Sequence, residues 1–160
     1  MKQFVATLTL ILLSFLSYSQ QPNSKYCNKI QMDIDKFEGD TTYRSPHSPG
    51  FIDPLYYIKS SGKIAVFIKS WGGRSNVGKK GAILLLKDGS KIERPDAEID
   101  CDVNETQGYL YTTMFFLSDE DLEKLSKSPV SSVRLYIYDS NYNEKRQIKQ
   151  MEYLRCMRNL

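Results

Sequence analysis

The chain has 160 residues, and its 22 basic residues stand against 19 acidic ones, which gives a formal net charge of +3. This balance argues against nucleic acid and against an anionic membrane surface as partners. Eleven Tyr and seven Phe favour strands over helices, because aromatic side chains pack well on a pleated sheet.

The first twenty residues have the layout of a secretory signal peptide. Lys2 precedes an apolar run over residues 4–16, and small Ser19 precedes a cut before Gln20. The run is shorter than the ~20 apolar residues that a membrane span needs. We therefore expect a signal peptide over residues 1–19, no stable membrane insertion after its cleavage, and export to the periplasm, the cell surface or the medium. An uncleaved N-terminal anchor is the alternative.

The rest of the chain divides into a lead-in and one domain. Residues 20–29 are polar and contain Pro22, which predicts a flexible lead-in. Residues 30–160 are enough for a single β-rich domain with its own core. Its first element, residues 30–37, alternates apolar and polar side chains, which is the period of a half-buried strand.

Two hairpins are predicted in the middle of the chain. Residues 55–71, LYYIKSSGKIAVFIKSW, carry two β-rich runs around Ser61-Gly62. The apolar run of residues 82–86 predicts a strand that is covered on both faces. Asp88-Gly89 follows it and is a strong hairpin signal, because both turn positions need positive φ. The returning strand is expected to stop at Pro95.

The second half of the domain predicts more strands and two helices. Residues 97–103, 109–117 and 131–139 have strand patterns. Ser118 is a good N-cap for a short helix with an acidic first turn. A final helix carries one apolar stripe of residues spaced three apart, namely Ile148, Met151 and Leu154.

The predicted fold is mainly β, of α+β character. Short strands do not alternate regularly with long helices, which argues against a doubly wound parallel sheet. We expect an antiparallel β-sandwich or a partly open barrel, with one short helix and a C-terminal amphipathic helix.

The stretch GGRSNVGKKG, residues 72–81, matches the core of a phosphate-binding loop and resembles the opening of many bacterial GTPases. In such a loop a hydroxyl residue follows the Lys, and a helix begins there. Here Lys80 follows Lys79, and the next residues predict a strand. We interpret the match as fortuitous and reject nucleotide hydrolysis.

A weaker hypothesis concerns the same loop. Arg74, Lys79 and Lys80, together with loop amides, could bind an anion. The alternative is that these three side chains are solvated charges at the entrance of a strand.

Three cysteines, Cys27, Cys101 and Cys156, follow the signal peptide. Export permits a disulfide, and an odd number leaves one thiol over. We favour Cys27 with Cys156, because both lie near chain ends and the ends of a domain are often close together. The alternative is that all three are buried and reduced.

No metal or cofactor site is expected. The only histidine, His47, lies in a predicted loop, and no two cysteines have zinc-ligand spacing. The candidate carboxylate partners of His47 are Asp35 and Asp53. Clustered carboxylates occur at two places, Asp119-Glu120-Asp121 and Asp100 with Asp102. The first cluster is explained by a helix N-terminus, and a pair of the second kind could serve a hydrolase.

Tyrosines recur on two predicted strands. Tyr109 and Tyr111 share one strand face, and Tyr136 and Tyr138 share another. Tyrosine combines a large rigid area with a polar tip, so two exposed rows would form a face for glycan or peptide. The alternative is that one row belongs to the core and the other lies under the final helix.

Three stretches resemble small exported bacterial domains of no assigned activity. They are DKFEGDTTYRSP (35–46), GAILLLKDGSKIERPD (81–96), and LSDEDLEKL (117–125) before VRLYIYD (133–139). The resemblance covers most of residues 30–158. It implies a similar strand order, a final helix and export, and it transfers no catalytic residues.

The leading functional expectation is a non-catalytic binding or interaction module of the bacterial periplasm or cell surface. Its expected partner is an envelope glycan or another exported protein. The alternative is a carboxylate-dependent hydrolase that acts on envelope glycan or peptide. An acidic pair in a cleft would favour the hydrolase, whereas a flat aromatic face would favour binding.

Overall fold

The computed structural model describes residues 24–47, 54–104 and 108–160. The predicted signal peptide with its cleavage site, the first residues of the lead-in and Asp53 lie outside these residues. Within them the chain forms three helices and ten strands.

These elements have the following bounds in chain order. They are α1 Ser24–Cys27, β1 Gln31–Ile34, β2 Thr41–Arg44, β3 Leu55–Ser60, β4 Lys63–Gly72, β5 Lys80–Leu86, β6 Lys91–Glu98, β7 Asp100–Asn104, β8 Gly108–Phe116, α2 Asp119–Lys127, β9 Val130–Leu135, β10 Tyr138–Asn141 and α3 Glu144–Arg158.

The strands form two antiparallel sheets, which confirms the predicted mainly β fold. The six-stranded sheet has the order β1-β2-β3-β4-β8-β7, and the four-stranded sheet has the order β10-β9-β5-β6. The two sheets are separate, so the described part of the chain is sandwich-like. The chain passes between the sheets at Ile99, which divides the predicted strand over residues 97–103 into the end of β6 and β7.

The core lies between the two sheets and continues under α3. Alternation along β3 and β4 turns every second side chain toward the four-stranded sheet and α3, and we call this side the inner face of the six-stranded sheet. The core includes side chains from both sheets and the last helix, among them Tyr57, Val66, Ile68, Leu84, Leu135, Leu154 and Met157. Each such apolar side chain contributes about 1.5–3 kcal/mol when it is fully buried.

Both predicted hairpins are present. Ser61 and Gly62 have φ values of 49° and 75°, as a two-residue turn between β3 and β4 requires. The second turn joins β5 to β6 through residues 87–90, and only Gly89 of the predicted Asp88-Gly89 pair has a positive φ, of 86°. The hairpin is therefore present, but not the two-residue turn that the sequence predicted. The amide of Leu86 donates to the carbonyl of Ser90 at 2.9 Å and closes this turn.

The acidic start of α2 has two structural roles. Ser118 caps the helix by accepting from the amide of Asp121 at 3.2 Å, and the Asp121 carboxylate accepts from the amide of Ser118 at 2.8 Å. Asp121 is buried and also forms an ion pair with Arg94 of β6. The Asp121 carboxylate at this helix start therefore serves the fold.

The predicted disulfide between Cys27 and Cys156 is present, and it joins α1 to α3. The end of the predicted flexible lead-in is therefore a helical turn held to the domain. The predicted final helix is present, but its buried face differs from the predicted stripe, because Ile148 is exposed. Its buried residues are Gln150, Tyr153, Leu154, Cys156 and Met157.

Three strand predictions need correction. Residues 131–139 do not form one strand, because Tyr136 has a φ of 55° and begins the turn of a β9–β10 hairpin. Strand β6 continues past Pro95 to Glu98, which an edge strand permits because the missing amide faces away from the ladder. Strand β5 is not covered on both faces, since Ile83 and Leu85 are half-exposed.

The first predicted strand is present as β1, but it is exposed rather than half-buried. It lies at the edge of the six-stranded sheet, beyond the area that the second sheet and α3 cover. Its apolar side chains Met32 and Ile34 therefore remain in solvent. None of the helices among the described residues has the length and apolar character needed to cross a membrane.

Candidate functional site

The glycine-rich loop joins two strands, as the sequence predicted. It leaves β4 at Gly72 and enters β5 at Lys80, and no helix follows it. The ammonium of Lys80 lies 3.5 Å from the carboxylate of Glu98, and that of Lys79 lies 5.5 Å from the ring centroid of Tyr136. The loop thus lacks the helix N-terminus with which a phosphate-binding loop holds its ligand.

Two of the three predicted anion-binding residues border a groove of about 630 Å³ at the edge of the sandwich. Lys79 and Lys80 line it together with three carboxylates, those of Glu98, Asp100 and Asp102. Arg74 is outside this lining, and its backbone carbonyl accepts hydrogen bonds from the hydroxyls of Tyr111 and Tyr138. Because carboxylates outnumber cations in the groove, its charges do not favour an anion, and the anion site stays a prediction.

Two of the four predicted tyrosines meet inside the sandwich. The rings of Tyr111 and Tyr138 lie 4.6 Å apart, and Tyr111 is fully buried. The side-chain amide of Asn76 donates from Nδ2 to the Tyr138 hydroxyl at 2.8 Å. Burial is the main cause that raises the pKa of Tyr111 to about 12, and hydrogen bonds with Cys101 and Tyr138 add to this effect. This cluster ties the glycine-rich loop to both sheets.

Gly72 makes the approach of these two rings feasible. A Cβ at this position would lie 2.6 Å from Tyr138 Cε2 and 2.7 Å from Tyr111 Cε2. Tyr111 has little room to withdraw, because it is fully buried and packs on the half-buried ring of Tyr138. The first glycine of the loop is therefore required by packing.

The expected exposed face of four tyrosines is not formed. Tyr109 packs on the core from the inner face of β8, beside the buried Tyr111. Tyr136 lies in the β9–β10 turn, so it does not share a strand with Tyr138. The physical reason is that alternation identifies which residues share a face, whereas the second layer decides which face is covered.

Among the described residues, the histidine and the carboxylates do not form a metal site. His47 stacks on Tyr56, and its Nδ1 is buried without a hydrogen-bond partner among the described residues. Asp35 accepts from the amides of Glu38 and Phe37 in its own turn, and these bonds lower the pKa of its carboxyl. No group of three or more His, Cys, Asp or Glu residues in the described ranges is arranged to hold a metal ion.

A different set of side chains forms an exposed aromatic surface on the six-stranded sheet. The residues that alternate with the inner-face residues on β3, β4 and β8 point away from the core. Two of them are large and more than half exposed, Met114 at 54% and Phe116 at 59%. We call this surface the outer aromatic face; it comprises Tyr56, Ile58, Phe67, Trp71, Leu110, Met114 and Phe116.

Ring stacking and cations organise the outer aromatic face. Tyr56 stacks on Phe67 with centroids 4.7 Å apart and on His47 with centroids 4.5 Å apart. The ammonium of Lys69 lies 5.9 Å and 5.7 Å from the centroids of Tyr56 and Phe67, and that of Lys63 lies 6.0 Å from Phe116. Burial raises the pKa of Tyr56, an effect that Arg44 opposes.

Sequence reasoning missed this face, although a signal was present. Strand β4 is apolar at Ile64, Val66 and Ile68, and also at the intervening Ala65 and Phe67. A strand that is apolar on both faces either lies between two layers or exposes an apolar face. The three-dimensional arrangement of the layers was needed to decide between these two outcomes.

No protein family, no curated protein and no solved structure was found that matches the chain.

Proposed function

We propose that the protein is a non-catalytic binding module, exported from a bacterial cell, whose partner docks on the outer aromatic face. The observation that carries the proposal is the exposure of Met114 and Phe116 on a sheet whose opposite side already forms the core. An apolar patch that the fold itself leaves uncovered is typical of a surface that contacts another molecule.

Two features support the exported location. The disulfide between Cys27 and Cys156 is consistent with an oxidising compartment, where such bonds persist. The first twenty residues have the layout of a signal peptide. The mass of the purified protein tests both, since we expect a chain that begins at Gln20 with one thiol, that of Cys101, reactive before reduction. A full-length chain with three reactive thiols would contradict export.

Binding is better supported than hydrolysis. Asp100 and Asp102 are exposed and lie side by side on β7, at the edge of the six-stranded sheet. Catalytic carboxylates work in sites whose surroundings give the two groups different protonation states. The edge groove is open and presents its carboxylates to solvent together with Lys79 and Lys80.

Site-specific photo-crosslinking in the producing cell tests the proposal. Benzoylphenylalanine is introduced at position 114 or 116, and the cells are irradiated before the protein is purified. We expect discrete covalent adducts from both positions, because a docked partner lies within reach of these side chains. The adducts are identified by mass spectrometry.

Ile137 is the matched control, since it is 61% exposed against 59% for Phe116 but lies in the β9–β10 turn. Benzoylphenylalanine at position 137 should give no discrete adduct. The proposal fails if positions 114 and 116 give no adduct, or if position 137 gives the same one.

A further inference from the structure

We infer that the partner of the outer aromatic face is a protein segment that combines acidic and apolar side chains. This inference rests on the proposed function and adds the chemistry of the partner. It follows from the charges on the face and from the arrangement of its rings.

The charges at the centre of the face have one sign. On the outward positions of β2, β3, β4 and β8 the charged residues are Arg44, Lys63 and Lys69, and no acidic residue occupies these positions. Acidic residues lie outward only on the two edge strands of this sheet, at Asp33 of β1 and at Asp100 and Asp102 of β7. The central face is therefore cationic and apolar together.

These three cations have no ion-pair partner among the described residues. Lys63 and Lys69 lie against aromatic rings, which hold an ammonium group without neutralising its charge. On other surfaces several cations do have such a partner, as Lys80 has with Glu98 and Lys87 has with Glu144. A carboxylate that arrives at the face thus meets cations already positioned beside apolar surface, and complementary charge favours its docking.

The ring arrangement favours a protein over a glycan. Strand β3 lies between β2 and β4, so His47, which follows β2, and Phe67 of β4 stack on the two sides of Tyr56. A sugar ring stacks on an open aromatic face, and both faces of Tyr56 are occupied. Lys63 lies over the ring of Phe116. The side chains of Met114 and Ile58 lie beside these rings on the same face, and such side chains pack well against apolar protein side chains.

Selection from a peptide display library tests the inference. The immobilised protein, with its disulfide intact, is panned against random peptides, and the enriched sequences are counted for acidic, basic and apolar residues. We expect enriched peptides that carry Asp or Glu together with aliphatic or aromatic residues. Their affinity should fall as salt is raised, because exposed charge pairs are screened.

The double variant Lys63→Glu, Lys69→Glu supplies the decisive comparison. It should bind the selected acidic peptides about tenfold more weakly, because two attractive pairs become repulsive. A fresh panning on this variant should enrich basic peptides instead. The control is Lys91→Glu, Lys145→Glu, which changes the net charge equally at exposed sites off this face and should alter affinity less than about twofold. Thermal melts establish that both variants are folded.

Three results would overturn the inference. These are an absence of enriched peptides, enrichment without acidic residues, and an equal loss of affinity in the control variant. Binding of the protein to polygalacturonate that the selected peptides do not displace would indicate an acidic glycan instead. Positions 114 and 116 could instead crosslink to a partner segment that lacks acidic residues. That result would support the proposed binding function and contradict only this inference.

Discussion

On the outer face of the four-stranded sheet, the Arg134 guanidinium donates to both carboxylate oxygens of Asp139, at 2.5 Å and 2.7 Å. On the outer aromatic face, by contrast, the Lys69 ammonium lies against the rings of Tyr56 and Phe67. The first surface pairs Arg134 with Asp139 across neighbouring strands and surrounds the half-exposed Ile83 and Leu85 with polar groups. The second exposes Met114 and Phe116, and its cations have no ion-pair partner in the part of the chain that the structure describes.

This difference distinguishes an outer face that is sufficient for the fold from one whose apolar side chains the fold does not require. Both sheets bury their inner faces in the same core, and an outer face like that of the four-stranded sheet suffices for a soluble sandwich. The outer aromatic face contributes little to this core. We therefore expect substitutions on it to change binding and substitutions on the inner face to change stability.

The largest expected effect comes from uncovering part of the inner face. Helix α3 packs on the inner side of β3, where the Lys59 ammonium donates to the carbonyl of Met157 at 3.0 Å. The disulfide holds this helix to α1, so Cys156→Ser should lower the free energy of unfolding by about 4 kcal/mol. Urea denaturation measures the change.

The control for this change is Cys101→Ser, which removes the free thiol and leaves the bridge. It should lose far less stability than Cys156→Ser. If Cys156→Ser unfolds at nearly the same urea concentration as the parent protein, packing alone holds α3, and the bridge does not decide which face is covered.

The second prediction compares the two faces of one sheet directly. Ile68 on β4 is fully buried on the inner face, and Phe116 on β8 is exposed on the outer aromatic face. Ile68→Ala should cost about 3 kcal/mol because it leaves a cavity. Phe116→Ala should change stability by only about 0.5 kcal/mol. Equal losses in urea denaturation would mean that the outer face belongs to the core.

The third prediction concerns the place where the two sheets meet at the glycine-rich loop. Gly72→Ala should lower the free energy of unfolding by about 2 kcal/mol, because the added methyl overlaps the packed rings of Tyr111 and Tyr138. Gly73→Ala is the neighbouring control, since nothing lies within 4 Å of a Cβ there. A Gly72→Ala protein as stable as Gly73→Ala would contradict the close packing of these rings.

The smallest effect is expected on the outer face of the four-stranded sheet. Hydrogen bonding with Arg134 is the main cause that lowers the pKa of Asp139. The contribution of the pair is therefore complete above the unfolded pKa of about 3.9, and it is lost as the pH falls through the lower folded pKa. Because the pair is exposed, Arg134→Gln should shift the melting temperature at pH 7 by only about 2 °C.

The sign of the pH dependence checks this last prediction. The small difference in melting temperature between the parent protein and Arg134→Gln should shrink as the pH is lowered below about 4. A difference that grows on acidification would mean that Asp139 does not act through its charged form.

Much of the local structure could be predicted from the sequence. The turns at Ser61-Gly62 and Asp88-Gly89, the cap at Ser118 and the period of most strands depend on residues that are close together along the chain. Even the disulfide followed from the position of two cysteines near the chain ends. The candidate functional site was harder to predict from the sequence. Alternation along the strand showed that Tyr109 and Tyr111 share a face, but it did not show that this face is buried.

By itself, the sequence determined where most strands, turns and helices begin, because backbone preferences and capping act over a few neighbouring residues. Only the tertiary structure decided that Ile99 carries the chain from one sheet to the other and that Tyr136 starts a turn. It also decided which face of β4 and β8 is covered. Burial is set by the four-stranded sheet and α3, which reach these strands from distant parts of the chain, and no local pattern encodes that contact.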